Sequence, residues 1–389
     1  MLVLQHIFSL ALFLPFNCFA TAKTITDLFD ISFTESVGGS CYAEGQARFD
    51  RLVTEALALA EAGIAFAQAA LDSSDALHME AQRLGRAWFR TDDGVASHDE
   101  ADIYDTIQIY YEDVRNWLMN GGPVDDGRNP KKPYLFCEDD WAIRKSLSDP
   151  LYDANGNTVK DNNGDVVLIR DSPDMMNGKS IAEGRIGEAA YPYWSQRVGG
   201  YVWQRKYGDL PTQGQCHQNQ AHGQTFTSSG DPNVPGPASW IVLCGDSFTD
   251  IILGQPTCKV VDLSQLNDEN EFDAANSGKI LDIIPESGTF FHELFHLVKG
   301  SEETRPMNVP DSRYAEIYSI SQNLGDEVLT GSPLEPPEDR VYINSEHAQS
   351  NPETYTNVAI AFYYTKNKPL PDGRRQEFFS GDCTVGALP

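Results

Sequence analysis

The sequence predicts a mixed α+β fold, mainly helical, with a small sheet beside one buried helix. Three observations carry this expectation. Apolar residues recur at helical spacing through three long stretches before residue 123. The run Trp240-Ile241-Val242-Leu243 is short, apolar and β-branched, as a strand would be. Residues 289–300, TFFHELFHLVKG, are apolar nearly all round, the pattern of a helix with no face left for water.

The chain has 389 residues, 41% of them hydrophobic, enough for a sizeable core. Its net charge of −28 argues against nucleic acid and against anionic membranes as partners. Residues 1–22 read as a secretory signal: positions 2–19 are mostly apolar with no acidic residue, and Ala20-Thr21-Ala22 offers a cleavage site before Lys23. No later stretch reads as long and apolar enough to cross a bilayer. Losing the signal removes Cys18 and leaves Cys41, Cys137, Cys216, Cys244, Cys258 and Cys383. Six cysteines in an exported chain predict three disulfides, and no two lie at C-x-x-C spacing. Residues 23–389 are expected to form a single domain that acts as a monomer.

In chain order, residues 42–72 predict the first long helix, with Phe49, Leu52, Val53, Ala56, Ala60, Ile64 and Ala67 on one stripe and Gly63 inside it. A second helix is expected over 75–89 and a third over 99–120, stopped by Gly121-Gly122-Pro123. Together, residues 41–123 form a helical N-terminal part. Residues 124–212 look like a loop and hairpin insertion, the hairpin falling at 153–169 with turns at Asn155-Gly156 and Asn163-Gly164. A calcium loop fails there, because the position that needs glycine holds Thr158 or Val166. His217 and His222, in a Gln-rich segment, read as solvated loop residues. Beyond the 289–300 helix, Gly300 is placed as its stop, a helix is expected over 312–323, and another starts at Asn351-Pro352 and runs through Phe362.

The chemistry lies in His292, Glu293 and His296, spaced His-Glu-x-x-His. Positions i and i+4 stack on one helix face, so both imidazoles can reach one metal ion with Glu293 beside them. Burying two histidines and a carboxylate is costly unless they have partners, and a zinc ion supplies one. Zinc lowers the pKa of a bound water from about 15.7 to about 7, and Glu293 is placed to take its proton and pass it to a leaving amine. A catalytic zinc needs a third protein ligand. Asp311, Glu302 and Glu316 are the candidates within reach; Asp311 has Tyr314 three residues on.

Around this motif the chain resembles the fungal aspzincins, the deuterolysin and peptidyl-Lys metallopeptidase family of the zincin clan. Gly288-Thr289-Phe290-Phe291-His292-Glu293 is similar to the entry of that family's helix, and Asp311-Ser312-Arg313-Tyr314 to its D-x-x-Y. Asn351-Pro352-Glu353-Thr354-Tyr355 is similar to its N-A-D-x-Y segment, and Ile241-Val242-Leu243-Cys244-Gly245 to its strand ending in Cys. Cys41 before an Ala-rich helix also fits. The family's Gly-Thr before the aspartate is replaced by Val309-Pro310, and the glycine after its tyrosine by Ala315.

The resemblance implies a zincin-like fold in which the 240–243 strand runs beside the active helix and offers its edge to substrate. It implies His292, His296 and Asp311 as zinc ligands, Glu293 as general base, and Tyr314 as donor to the oxyanion. It implies the pairings Cys41–Cys137, Cys216–Cys244 and Cys258–Cys383. The expected activity is that of a secreted zinc metalloendopeptidase acting on protein or peptide substrates. The alternative is a catalytically inactive zinc-binding antigen on the same scaffold; pure metal capture needs no general base, and the motif retains Glu293.

Overall fold

The computed structural model describes residues 23–92, 100–124, 130–218, 222–227, 238–248, 263, 284–300, 303–304, 345–367, 376–377 and 384–385. The helices are α1 (Ile25–Leu28), α2 (Gln46–Leu71), α3 (His78–Phe89), α4 (Glu100–Asn120), α5 (Pro173–Ile186), α6 (Gln215–Gln218), α7 (Ser287–Lys299), α8 (Ser345–Gln349) and α9 (Pro352–Asn367). The strands are β1 (Asp30–Ile31), β2 (Tyr134–Cys137), β3 (Ile143–Arg144), β4 (Tyr191–Ser195), β5 (Gly200–Gln204), β6 (Gly223–Phe226), β7 (Trp240–Leu243), β8 (Gln376–Glu377) and β9 (Thr384–Val385). The fold is α+β and mainly helical.

The three N-terminal helices form where periodicity places them, with shifted starts. α2 begins at Gln46 because Gly45, at φ +73°, breaks the chain direction just before it. Gly63 has a packing reason: a Cβ there would lie 2.3 Å from the Tyr111 ring, so its absence lets α4 lie close against α2. α2 is also a correction to the membrane reading. Its 26 residues are long and apolar enough to span a bilayer by length and composition, but α3, α4, α7 and α9 cover its apolar side.

The main sheet runs β1-β2-β7-β6, with β1, β2 and β7 parallel and β6 antiparallel to β7. This corrects one expectation. The 240–243 strand is not an edge: β7 is paired on both sides, and among the described residues β6 lies at the border next to α7. The 124–212 stretch, expected to be a loop and hairpin insertion, supplies the inner strand β2.

Its true hairpin is β4–β5, whose aromatic and β-branched residues suit a pleated surface. Residues 150–168 make only isolated bridges around two Asp-led turns. Asp153 accepts from the backbone N–H of Asn155 and Asn157, and Asp161 from those of Asn163 and Asp165. Those bonds hold the Asp153 carboxyl below its ordinary value, the Asn157 amide contributing most.

Side chains alternate across the sheet and divide the interior into two cores. Leu135, Cys137, Ile241 and Leu243 face the helices. Tyr134, Phe136, Trp240 and Val242 face an aromatic cluster with Trp141, Tyr193 and Tyr207. Disulfides Cys41–Cys137 and Cys216–Cys244 are formed. Cys258 and Cys383, the signal segment, the expected 312–323 helix, and Glu302, Asp311, Tyr314 and Glu316 lie outside the described residues.

Candidate metal centre

α7 is clamped at both ends. Before its first turn, the buried Glu286 accepts from Arg48 and Arg51 of α2, and Arg48 also lies 4.9 Å from the centre of the Phe248 ring. In its last turn, Lys299 donates to Asp113 at 2.8 Å and sits over the Tyr110 ring at 4.4 Å. Burial pulls the Lys299 pKa down, but the Asp113 bond and charge outweigh it and leave it raised. Gly300, at φ +87°, ends the helix as expected, its N–H donating to the His296 carbonyl. Between these clamps every residue from 290 to 299 is buried.

His292, Glu293 and His296 are 7%, 5% and 8% exposed. The two rings stand 5.2 Å apart, centre to centre. Each Nδ1 has a partner. His292 Nδ1 lies 3.0 Å from Glu353 Oε2 on α9, and Glu353 Oε1 in turn accepts from Asn357 at 3.0 Å. An ionised carboxylate only accepts, so His292 carries its proton on Nδ1. His296 Nδ1 lies 2.6 Å from the hydroxyl of the buried Thr304. That hydroxyl lies 2.9 Å from the Gly300 carbonyl and has a single proton to give it. The arrangement that satisfies all three atoms makes His296 Nδ1 a donor as well. Both tautomers, read from their partners, are therefore the same, and Nε2 is the nitrogen each ring could offer to a metal.

This pair fits zinc. The 5.2 Å separation of the ring centres would let the two imidazoles share one zinc ion at ordinary Zn–N distances. Among the described residues no group of three or more His, Cys, Asp or Glu is arranged to hold a metal.

Glu293 points to the opposite neighbour, β6. Thr225 Oγ1 lies 2.6 Å from Glu293 Oε2 and 3.0 Å from the Glu293 carbonyl oxygen. A Cβ at Gly223 would lie 2.8 Å from Glu293 Oε1. His217 is exposed and bonded to Gln213 at 2.8 Å, as a solvated loop residue would be. His222 departs from that expectation: it is half-buried at the start of β6, with Nε2 enclosed.

Sequence reasoning missed Glu353, Thr304, Thr225 and Gly223. Glu353 stood in a segment already singled out, without a role. Gly-Gln-Thr-Phe shows no apolar–polar alternation that would mark β6 as a strand. No protein-family model, curated protein or solved structure matches this chain.

Proposed function

We propose that the chain is an exported zinc metalloendopeptidase of aspzincin type. The observation that carries the reading is the pair of buried imidazoles one helical turn apart, each with Nδ1 held by a polar partner. A structural histidine pair would not need matched tautomers at a spacing that suits one ion. β6 alongside Glu293 supports a zincin-like arrangement, with β6 in the place expected of residues 240–243. The two disulfides support an oxidising compartment.

His292 and His296 would hold the ion, with Asp311 as third ligand. When bound, zinc polarises the scissile carbonyl and brings deprotonation of water within reach of neutral pH. Glu293 takes the proton of the attacking water and returns it to the leaving amine. Tyr314 is assigned the hydrogen bond to the developing oxyanion.

Metal content and casein cleavage, measured with and without chelator, test the proposal. Glu293→Gln is expected to keep zinc and lose cleavage by at least about a thousandfold. Cleavage retained in that variant removes Glu293 from the mechanism. A wild-type chain that holds zinc tightly and cleaves no peptide in a library is a capture protein instead.

A further inference from the structure

We propose that the Cys216–Cys244 disulfide is a thiol-sensitive latch: closed, it holds β6 beside the motif helix, and a small-molecule thiol that opens it releases β6 and silences the site. The inference rests on the peptidase reading and adds its regulation.

The two disulfides stand at the same end of the sheet and differ in what surrounds them. Cys137 lies opposite Leu243 in the β2–β7 register, and Cys244 is the next residue on. Cys41 and Cys137 are 1% and 5% exposed and belong to the helical core. Cys216 is half-buried against the aromatic cluster. With Cys244, Asp139 and Gln224 it lines a small pocket of about 220 Å³, partly open to solvent. Exchange requires a thiolate to reach a sulfur, so access favours this bridge over the other.

Opening it loosens one strand in particular. The bridge joins residues 28 positions apart, with β6 and β7 between them. β7 is buried at all four residues and paired on both sides, so it keeps its place without the bridge. β6 has four residues, all half-buried, and among the described residues pairs only with β7. Its entry is tied to the bridge: the His222 carbonyl accepts from the Cys244 N–H at 2.8 Å and from the Ser247 hydroxyl. Removing a cross-link returns freedom to the loop it closed, and the weakest-held element there opens first. That element carries Gly223 and Thr225, the residues that meet Glu293.

The reduction balances with two thiols. The first thiolate attacks the Cys216 sulfur, the S–S bond breaks, and Cys244 leaves as a thiolate that takes up a proton. A second thiol removes the first as a small-molecule disulfide and leaves Cys216 as a thiol, so two electrons and two protons pass to the protein. An oxidised small-molecule disulfide reverses both steps.

The test incubates the native wild-type chain with graded glutathione, then alkylates and desalts it. Mass spectrometry maps the labels, and the same samples are measured for zinc, hydrogen exchange and peptide cleavage. Cys216 and Cys244 should be labelled at least about tenfold faster than Cys41 and Cys137. In the opened chain the amides of 223–226 should exchange at least about tenfold faster, and those of α2 within about twofold of the closed chain. Cleavage should fall by at least about tenfold with zinc retained, and return on treatment with oxidised glutathione. The double variant Cys216→Ser, Cys244→Ser, never exposed to thiol, should reproduce the loss; if it does not fold, the reduced wild type carries the test. Equally early labelling of Cys41 and Cys137, unchanged exchange at 223–226, full cleavage with the bridge open, or a loss that tracks loss of zinc overturns the latch and leaves the peptidase reading intact. A wild-type chain that cleaves nothing overturns the peptidase reading and the silencing together, and shows it before any thiol is added.

Discussion

The two faces of the four-stranded sheet are built from the same strands and do different things. Towards the helices, β6 shows Gly223 and Thr225, the two smallest side chains it has, and they meet a carboxylate. Away from them, Phe226 stacks on Trp240 at 4.8 Å, and Trp240 lies 5.2 Å from Trp141, which stacks on Phe136 at 4.8 Å. Arg197 covers the Phe136 ring at 4.9 Å and pairs with Asp30. Rings fill volume and fix the strands in place; small polar residues let the motif helix approach within hydrogen-bonding distance. One face is therefore a foundation and the other a fitting, and substitutions on each should move different observables.

The largest effect is expected on the foundation. Trp240 is 3% exposed, and Trp240→Ala should cost about 3–5 kcal/mol of unfolding free energy by denaturant titration. Zinc affinity of the folded fraction should stay within about twofold. Zinc affinity falling as far as in the next variant would mean that the two faces cannot be separated. On the other side, Glu353→Gln keeps the shape of the group against His292 Nδ1 and removes its charge. Zinc affinity by competition with a chelating dye should fall about 10–100-fold, equivalent to about 1.4–2.7 kcal/mol, with little loss of melting temperature in the metal-free protein. An unchanged dissociation constant would make Glu353 a bystander.

These variants also mark how far the sequence could be read. The i, i+4 spacing of His292 and His296 is local, and a helix turns it into a ring pair without help from the rest of the chain. Gly300 as a stop and the stripes of α2 and α4 are local in the same sense. Glu353 reaches His292 across 61 positions, and Thr225 reaches Glu293 across 68; no periodicity encodes such a meeting. β6 was hidden because glycine and glutamine are poor strand formers. The four residues are extended because β7 offers them a ladder. β2 was hidden by its length of four residues, which gives alternation no room to show. Two cysteine pairings followed from family resemblance, not from spacing, and both are formed.

The helical side also contains polar atoms that serve no site, and Tyr355 is the sharpest case. Its ring is packed by Phe295 at 4.8 Å, Phe89 at 5.0 Å, Tyr111 at 5.2 Å and Tyr110 at 5.3 Å. Its carbonyl accepts from the Tyr111 hydroxyl at 2.7 Å, but its own buried hydroxyl has no hydrogen-bond partner among the described residues. An unpaired buried hydroxyl costs about 1–3 kcal/mol, so Tyr355→Phe should be neutral or stabilise the fold by about 1 kcal/mol. Burial holds the Tyr355 pKa well above its ordinary 10.0. Above about pH 10 the unfolded chain therefore releases this proton while the folded one keeps it, and stability falls as pH rises. The advantage of phenylalanine should widen there, in thermal melts compared at pH 7 and pH 10.5. A loss above about 1 kcal/mol at pH 7 would show that the hydroxyl has a partner, and would place Tyr355 with Glu353 and Thr225 among the groups that the fold holds for use.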